Sequence, residues 1–61
     1  MCEFKVYLNG EKIFQDVIYA KIEGKDLVLR DVIGEVQKVV NCRIIEIDVS
    51  TAKLAIEQSG S

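Results

Sequence analysis

An all-β fold is predicted for this 61-residue chain: a small antiparallel barrel of the SH3-like kind with about six strands. Three observations predict it. Valine and isoleucine supply 16 residues against 3 alanines, and β-branched side chains pack well on a pleated surface while losing rotamer freedom in a helix. Apolar and polar residues alternate with the period of a half-buried strand in several stretches. Short turn signals (Asn9-Gly10, Gly24, Gly34) punctuate those stretches, with no proline anywhere.

The opening run places Cys2, Phe4, Val6 and Leu8 on one face and Glu3, Lys5, Tyr7 and Asn9 on the other. Asn9-Gly10 then reverses the chain, since both residues accept positive φ. The return strand runs from Lys12 to Glu23, with Phe14, Ile18, Ala20 and Ile22 assigned to the core face. Gln15-Asp16 interrupts that pattern, which marks a bulge. After the turn at Glu23-Gly24-Lys25-Asp26, Leu27, Leu29 and Ile33 point inward, opposite Val28, Arg30 and Val32. Ile45, Ile47 and Val49 oppose Ile44, Glu46 and Asp48 on a later strand. Asp48 to Thr51 turns, and Ala52, Leu54 and Ile56 run back as the last strand.

Two stretches also read as helix. In DVIGEVQKVVN, Asp31 could cap a short helix near 32–40 ended by Asn41, giving an α+β alternative. Gly34 costs such a helix roughly 1 kcal/mol, and the valines disfavour it further. STAKLAIEQ has a helical composition with Ser50 or Thr51 as cap. Strands are preferred in both. Residues 1–58 then form one small domain, and 59–61 read as a disordered tail.

A chain this short buries only about 60% of its unfolded surface and usually needs a disulfide, a metal or a partner copy. Here Ile13, Val17, Tyr19, Val28, Val32, Val39, Val40 and Ile44 fall on nominally outer faces, a surplus best covered by an isologous homodimer. Two cysteines make no disulfide scaffold, and neither a membrane span nor a signal segment is present, so a reducing cytoplasm is expected. Eight basic and ten acidic side chains leave a net charge of −2, a poor footprint for nucleic acid. With no histidine, the commonest general base is missing, and no nucleophile, base and oxyanion donor assemble; an enzyme is not expected.

The chemistry that remains is at the start. Met1 amine, Cys2 amide nitrogen and Cys2 thiolate can close fused chelate rings in a plane, a nitrogen-rich set suited to Ni(II) or Cu(II). Spacing alone favours the plainer reading, Cys2 as the end of the core face. Cys42 reads as a buried or half-buried strand start. Asp16, Asp26, Asp31 and Asp48 read as turn residues that satisfy local backbone donors. Lys5, Lys12, Lys21, Lys25 and Arg30, near Tyr7 and Tyr19, read as a solvated face because acids interleave them.

MCE at the start, VYL closing the first strand, IEGKDLVLRDVIGE and RIIEIDVSTAKLAIE together resemble the CooT-like family of small nickel-binding proteins. The resemblance covers nearly the whole chain. It implies a homodimeric β-barrel that binds Ni(II) through the second-position cysteine and serves nickel delivery to carbon monoxide dehydrogenase as client enzyme. Carried over, it reaches Cys2 as thiolate ligand, with the Met1 and Cys2 nitrogens as companions. Members have also been labelled RNA-binding, so the alternative is a small-barrel RNA-binding or protein-interaction module without metal.

Overall fold

The computed structural model describes residues 3–58, so Met1 and Cys2, the two named metal ligands, and the 59–61 tail lie outside the described residues. Among the described residues the fold is six strands and no helix: β1 (Phe4–Leu8), β2 (Glu11–Glu23), β3 (Asp26–Asp31), β4 (Val36–Val39), β5 (Cys42–Asp48) and β6 (Lys53–Gln58). The all-β reading holds. The α+β alternative does not: residues 32–35 make a turn and Val36–Val39 a strand, as Gly34 and the valines require.

The strands make one sheet in the order β4-β3-β2-β1-β6-β5. All pairings are antiparallel except β1 with β6, which is parallel and joins the first and last strands; the expected all-antiparallel arrangement is corrected there. Backbone bonds Lys5 N to Ala52 O (2.8 Å) and Asn9 N to Ile56 O (3.0 Å) bracket this ladder. Cys42 N donates to Lys25 O at 2.9 Å, bringing the start of β5 back to the β2–β3 turn. No ladder joins β4 to β5 among the described residues, so the sheet curls without closing.

The first hairpin forms as its sequence dictates. Asn9 (φ 50°) and Gly10 (φ 88°) carry the two positive angles of a tight turn, and Leu8 pairs with Glu11 across it. The Gln15-Asp16 bulge is also present. Phe4 pairs with Val17 and Val6 with Phe14, so β2 carries one extra residue, and Asp16 takes φ 60°. Further register shifts fall near Ile13, Ile18 and Ile45. Each shift exchanges the two faces downstream, because side chains alternate with a period of two.

The core is Val6, Val17, Leu27, Leu29, Val39, Cys42, Leu54 and Ile56, flanked by Phe4, Leu8, Ile13 and Phe14. Val17 and Val39, assigned to outer faces, are therefore inside. Ile18, Ala20 and Ile22, assigned to the core, are exposed. The pairing explains the last two. Ala20 pairs with Leu29 and Ile22 with Leu27, so both stand on the core face. However, β1 reaches only to Val17, so β2 runs six residues beyond it with β3 as its sole ladder partner among the described residues, and Ala20 and Ile22 stay exposed there. Ile33, expected inside, is 81% exposed because the chain turns rather than continuing β3.

Candidate functional site

The overhang of β2 opens the core at one end. Phe4 from β1, Val17, Ile18, Tyr19 and Ala20 from β2, Ile47 from β5 and Leu54 from β6 line an apolar groove of about 180 Å³. Ile47 pairs with Leu54, which places it on the core face, yet it stays 59% exposed because no described strand covers it. Arg30 lies 4.5 Å from the centroid of the Tyr19 ring, a cation–π contact on the sheet face opposite Ala20 and Leu29. Phe4 stands at the groove and is the second described residue of the chain. The covalent chain ties Cys2 to it: two peptide steps span at most about 7 Å.

The other cysteine is withdrawn from chemistry. Cys42 begins β5, is buried, and donates its thiol to Val39 O at 3.5 Å. Loss of solvation pushes its pKa up, with the Asp26 carboxylate adding to the rise against an opposing bond from the Leu27 backbone. A thiol held protonated is a poor metal ligand. Among the described residues, no three His, Cys, Asp or Glu side chains gather as a metal-holding cluster.

The carboxylates serve local turns. Asp26 Oδ1 accepts from Asn41 N at 3.2 Å. Asp31 Oδ1 accepts from Ile33 N and Glu35 N at 3.1 and 2.9 Å. Asp48 Oδ1 accepts from Ser50 N, Ser50 Oγ and Thr51 N. Asp16 has no such role and occupies the bulge. The five basic side chains read as a solvated face, Lys5, Lys12, Lys21, Lys25 and Arg30, are all exposed, and of them Lys21 is paired with an acid among the described residues, Glu23 at 3.1 Å; the other ion pairs are Lys38 with Asp26 at 3.6 Å, Lys53 with Glu46 at 3.7 Å and Arg43 with Glu57 at 2.7 Å. The groove itself was missed by sequence reasoning. Its one legible signal is length, since the 12–23 run outlasts the first strand it must pair with.

No helix among the described residues is long and apolar enough to cross a membrane. The molecule is thus a small curled β-sheet whose distinguishing surface is an apolar groove beside Phe4 that no described residue covers. Sequence comparison gives the particular family. The chain belongs to the CooT family, whose model, "CO dehydrogenase accessory protein CooT", matches residues 1–57. It is also 32% identical over 57 residues to the uncharacterized protein MJ1551 of Methanocaldococcus jannaschii, covering 93% of this chain and 98% of that one.

Proposed function

We propose that this chain is a non-enzymatic Ni(II)-binding accessory protein, a metallochaperone for carbon monoxide dehydrogenase maturation that works as a cytoplasmic homodimer. Nickel is its cargo. The Cys2 thiolate, with the Met1 amine and Cys2 backbone nitrogen, would hold the ion, and a second copy would bring a second such set.

One observation supports this reading most. Phe4, two residues after Cys2 in the sequence, lines an open apolar groove, so a copy seated there would lie near the segment that carries the thiolate. Family membership supplies the accessory role to a nickel enzyme. The donor chemistry agrees: with no histidine in the sequence and Cys42 buried, the terminal thiolate and nitrogens are the ligand set that favours a tetragonal ion.

The test is a Ni(II) titration followed by absorbance on wild type, Cys2→Ser and Cys42→Ser. A thiolate-to-nickel charge-transfer band should saturate below one metal per chain, vanish in Cys2→Ser and persist in Cys42→Ser. A band that survives in Cys2→Ser sinks the proposal. Affinity should fall as the pH drops below the thiol range, because binding requires the thiolate.

A further inference from the structure

The two faces of the sheet differ in charge. Strand positions next to the buried Val6, Leu27, Leu29, Leu54 and Ile56 point away from the core, because side chains alternate along a strand. Every cationic residue but Lys25 stands on this outer face. In the ladders Lys5 pairs with Lys53, Lys12 with Tyr7, Arg30 with Tyr19, Lys21 and Lys38 both with Val28, and Arg43 with Glu57. The acids on the same face are Glu23, Asp26, Glu46, Asp48 and Glu57. Seven cations against five acids leave this face at +2; Lys25 against the other five acids leaves the rest of the chain at −4, and the two together give the net −2. A molecule that is acidic as a whole presents one basic face.

The acids of that face are already engaged. Glu23, Asp26, Glu46 and Glu57 each pair with a cation of the same face: Lys21, Lys38, Lys53 and Arg43. Asp48 commits Oδ1 to the turn at Ser50 and Thr51. Lys5, Lys12 and Arg30 are in no ion pair among the described residues. Lys5 also sits directly beside Lys53 across the β1–β6 ladder, and like charges at paired positions destabilise a sheet. An anion brought from outside relieves that repulsion. Lys5 and the Tyr19–Arg30 pair are near one another, since Lys5 follows Phe4, Phe4 pairs with Val17, and Tyr19 lies two residues beyond Val17.

The tyrosines decide what kind of anion fits. Tyr19 and Tyr7 share the outer face, and each ring already carries a cation: Arg30 at 4.5 Å from one centroid and Lys53 at 5.4 Å from the other. Single-stranded nucleic acid is held by bases stacked on open aromatic rings, and here cations stand over both. A guanidinium lying on a ring keeps its N–H edge for a carboxylate, which it receives in two parallel bonds. Tyrosine with arginine is also the composition of protein–protein hot spots. The chemistry favours an acidic protein surface over RNA. Its position suits the transfer of a cargo: Lys5 is three residues after Cys2, and three peptide steps span at most about 11 Å.

We propose that the outer face around Lys5, Tyr19 and Arg30 docks a carboxylate-rich surface of the carbon monoxide dehydrogenase that this chain serves. The inference rests on the accessory role proposed above and specifies the surface and the charge by which the client is met.

Biolayer interferometry with nickel-free carbon monoxide dehydrogenase on the sensor tests it, with circular dichroism confirming that each variant folds. Wild type should bind with an affinity that falls as salt is raised, because exposed charges are screened. Arg30→Glu and Lys5→Glu, both at exposed positions, should each bind about tenfold more weakly. Lys25→Glu makes the same change of charge off the face and should bind as wild type. Either face variant binding as wild type overturns the proposal, as does binding that ignores salt or a Lys25→Glu that loses as much as the face variants. A wild type that leaves the enzyme alone and binds a single-stranded RNA oligonucleotide overturns it too. Wild type that takes nickel in the titration but fails to dock defeats the docking face and leaves the metal reading. Wild type that docks but takes no nickel defeats the metal reading and leaves the face standing.

Discussion

Asp48 controls a loop through a single oxygen. Its Oδ1 accepts from the Ser50 hydroxyl at 2.6 Å and from the Ser50 and Thr51 backbone nitrogens at 3.0 and 3.3 Å. The Ser50 hydroxyl first, then the Thr51 backbone, lowers the carboxyl's pKa below the ordinary 3.8. A carboxylate with a folded value below its unfolded value stabilises the fold above the unfolded value and ceases to do so as pH falls through the folded one. Asp48→Ala should therefore melt below wild type at neutral pH, with the gap narrowing as the pH drops beneath 3.8. Melting curves across that range check it. A core residue behaves differently. Leu27 is fully buried among eight core side chains, and Leu27→Ala should cost about 2–5 kcal/mol at any pH. Urea unfolding measures this, and in a domain of marginal stability the variant should be largely unfolded without denaturant. Cys42 belongs to the same class of buried residues, so its thiol should resist alkylation until the chain unfolds.

At the scale of the element, the turns were readable and the faces were not. Asn9-Gly10 and Gly24 each mark a reversal because only a few residue types tolerate positive φ, a local property that a sequence displays. The bulge at Gln15-Asp16 was readable for the same reason, as a polar pair inside an apolar run. The register shifts near Ile13, Ile18 and Ile45 leave no such mark, since isoleucine fits either face. A strict alternation carried through them assigns Val17 outward and Ile18 inward, the reverse of what is found. The candidate site divides in the same way. Cys42 was legible as a buried strand start, whereas the groove depends on where β1 ends relative to β2, a tertiary fact. The first hairpin permits a direct check of turn chemistry. Gly10 sits at φ +88° with no atom within 4 Å of an added Cβ, so Gly10→Ala meets backbone strain and no clash. A loss of about 1 kcal/mol is expected in urea unfolding, and D-alanine at the same position in a synthetic chain should restore it.

At the scale of the molecule, the chain folds by joining its ends. β1 and β6 lie parallel inside the sheet, so the first and last strands must both be in place before the core of Val6, Leu54 and Ile56 is complete. What the sheet lacks is cover for its overhang. Ala20, Ile22 and Ile47 stand on the core face and are paired at their edges by β3 and β6, yet all three stay exposed. If a second copy supplies that cover, folding and association are linked, and stability depends on protein concentration as well as on temperature. The melting temperature of the wild type should then rise steadily with dilution reversed, from micromolar to millimolar chain. Ala20→Arg, which puts a charge on the exposed overhang and leaves the buried core side chains in place, should instead melt at one temperature across the whole series and match the dilute wild type. Differential scanning calorimetry over that concentration range reads both. A wild-type melt independent of concentration would show that the overhang needs no cover. The marginal core of this small sheet would then carry the fold alone.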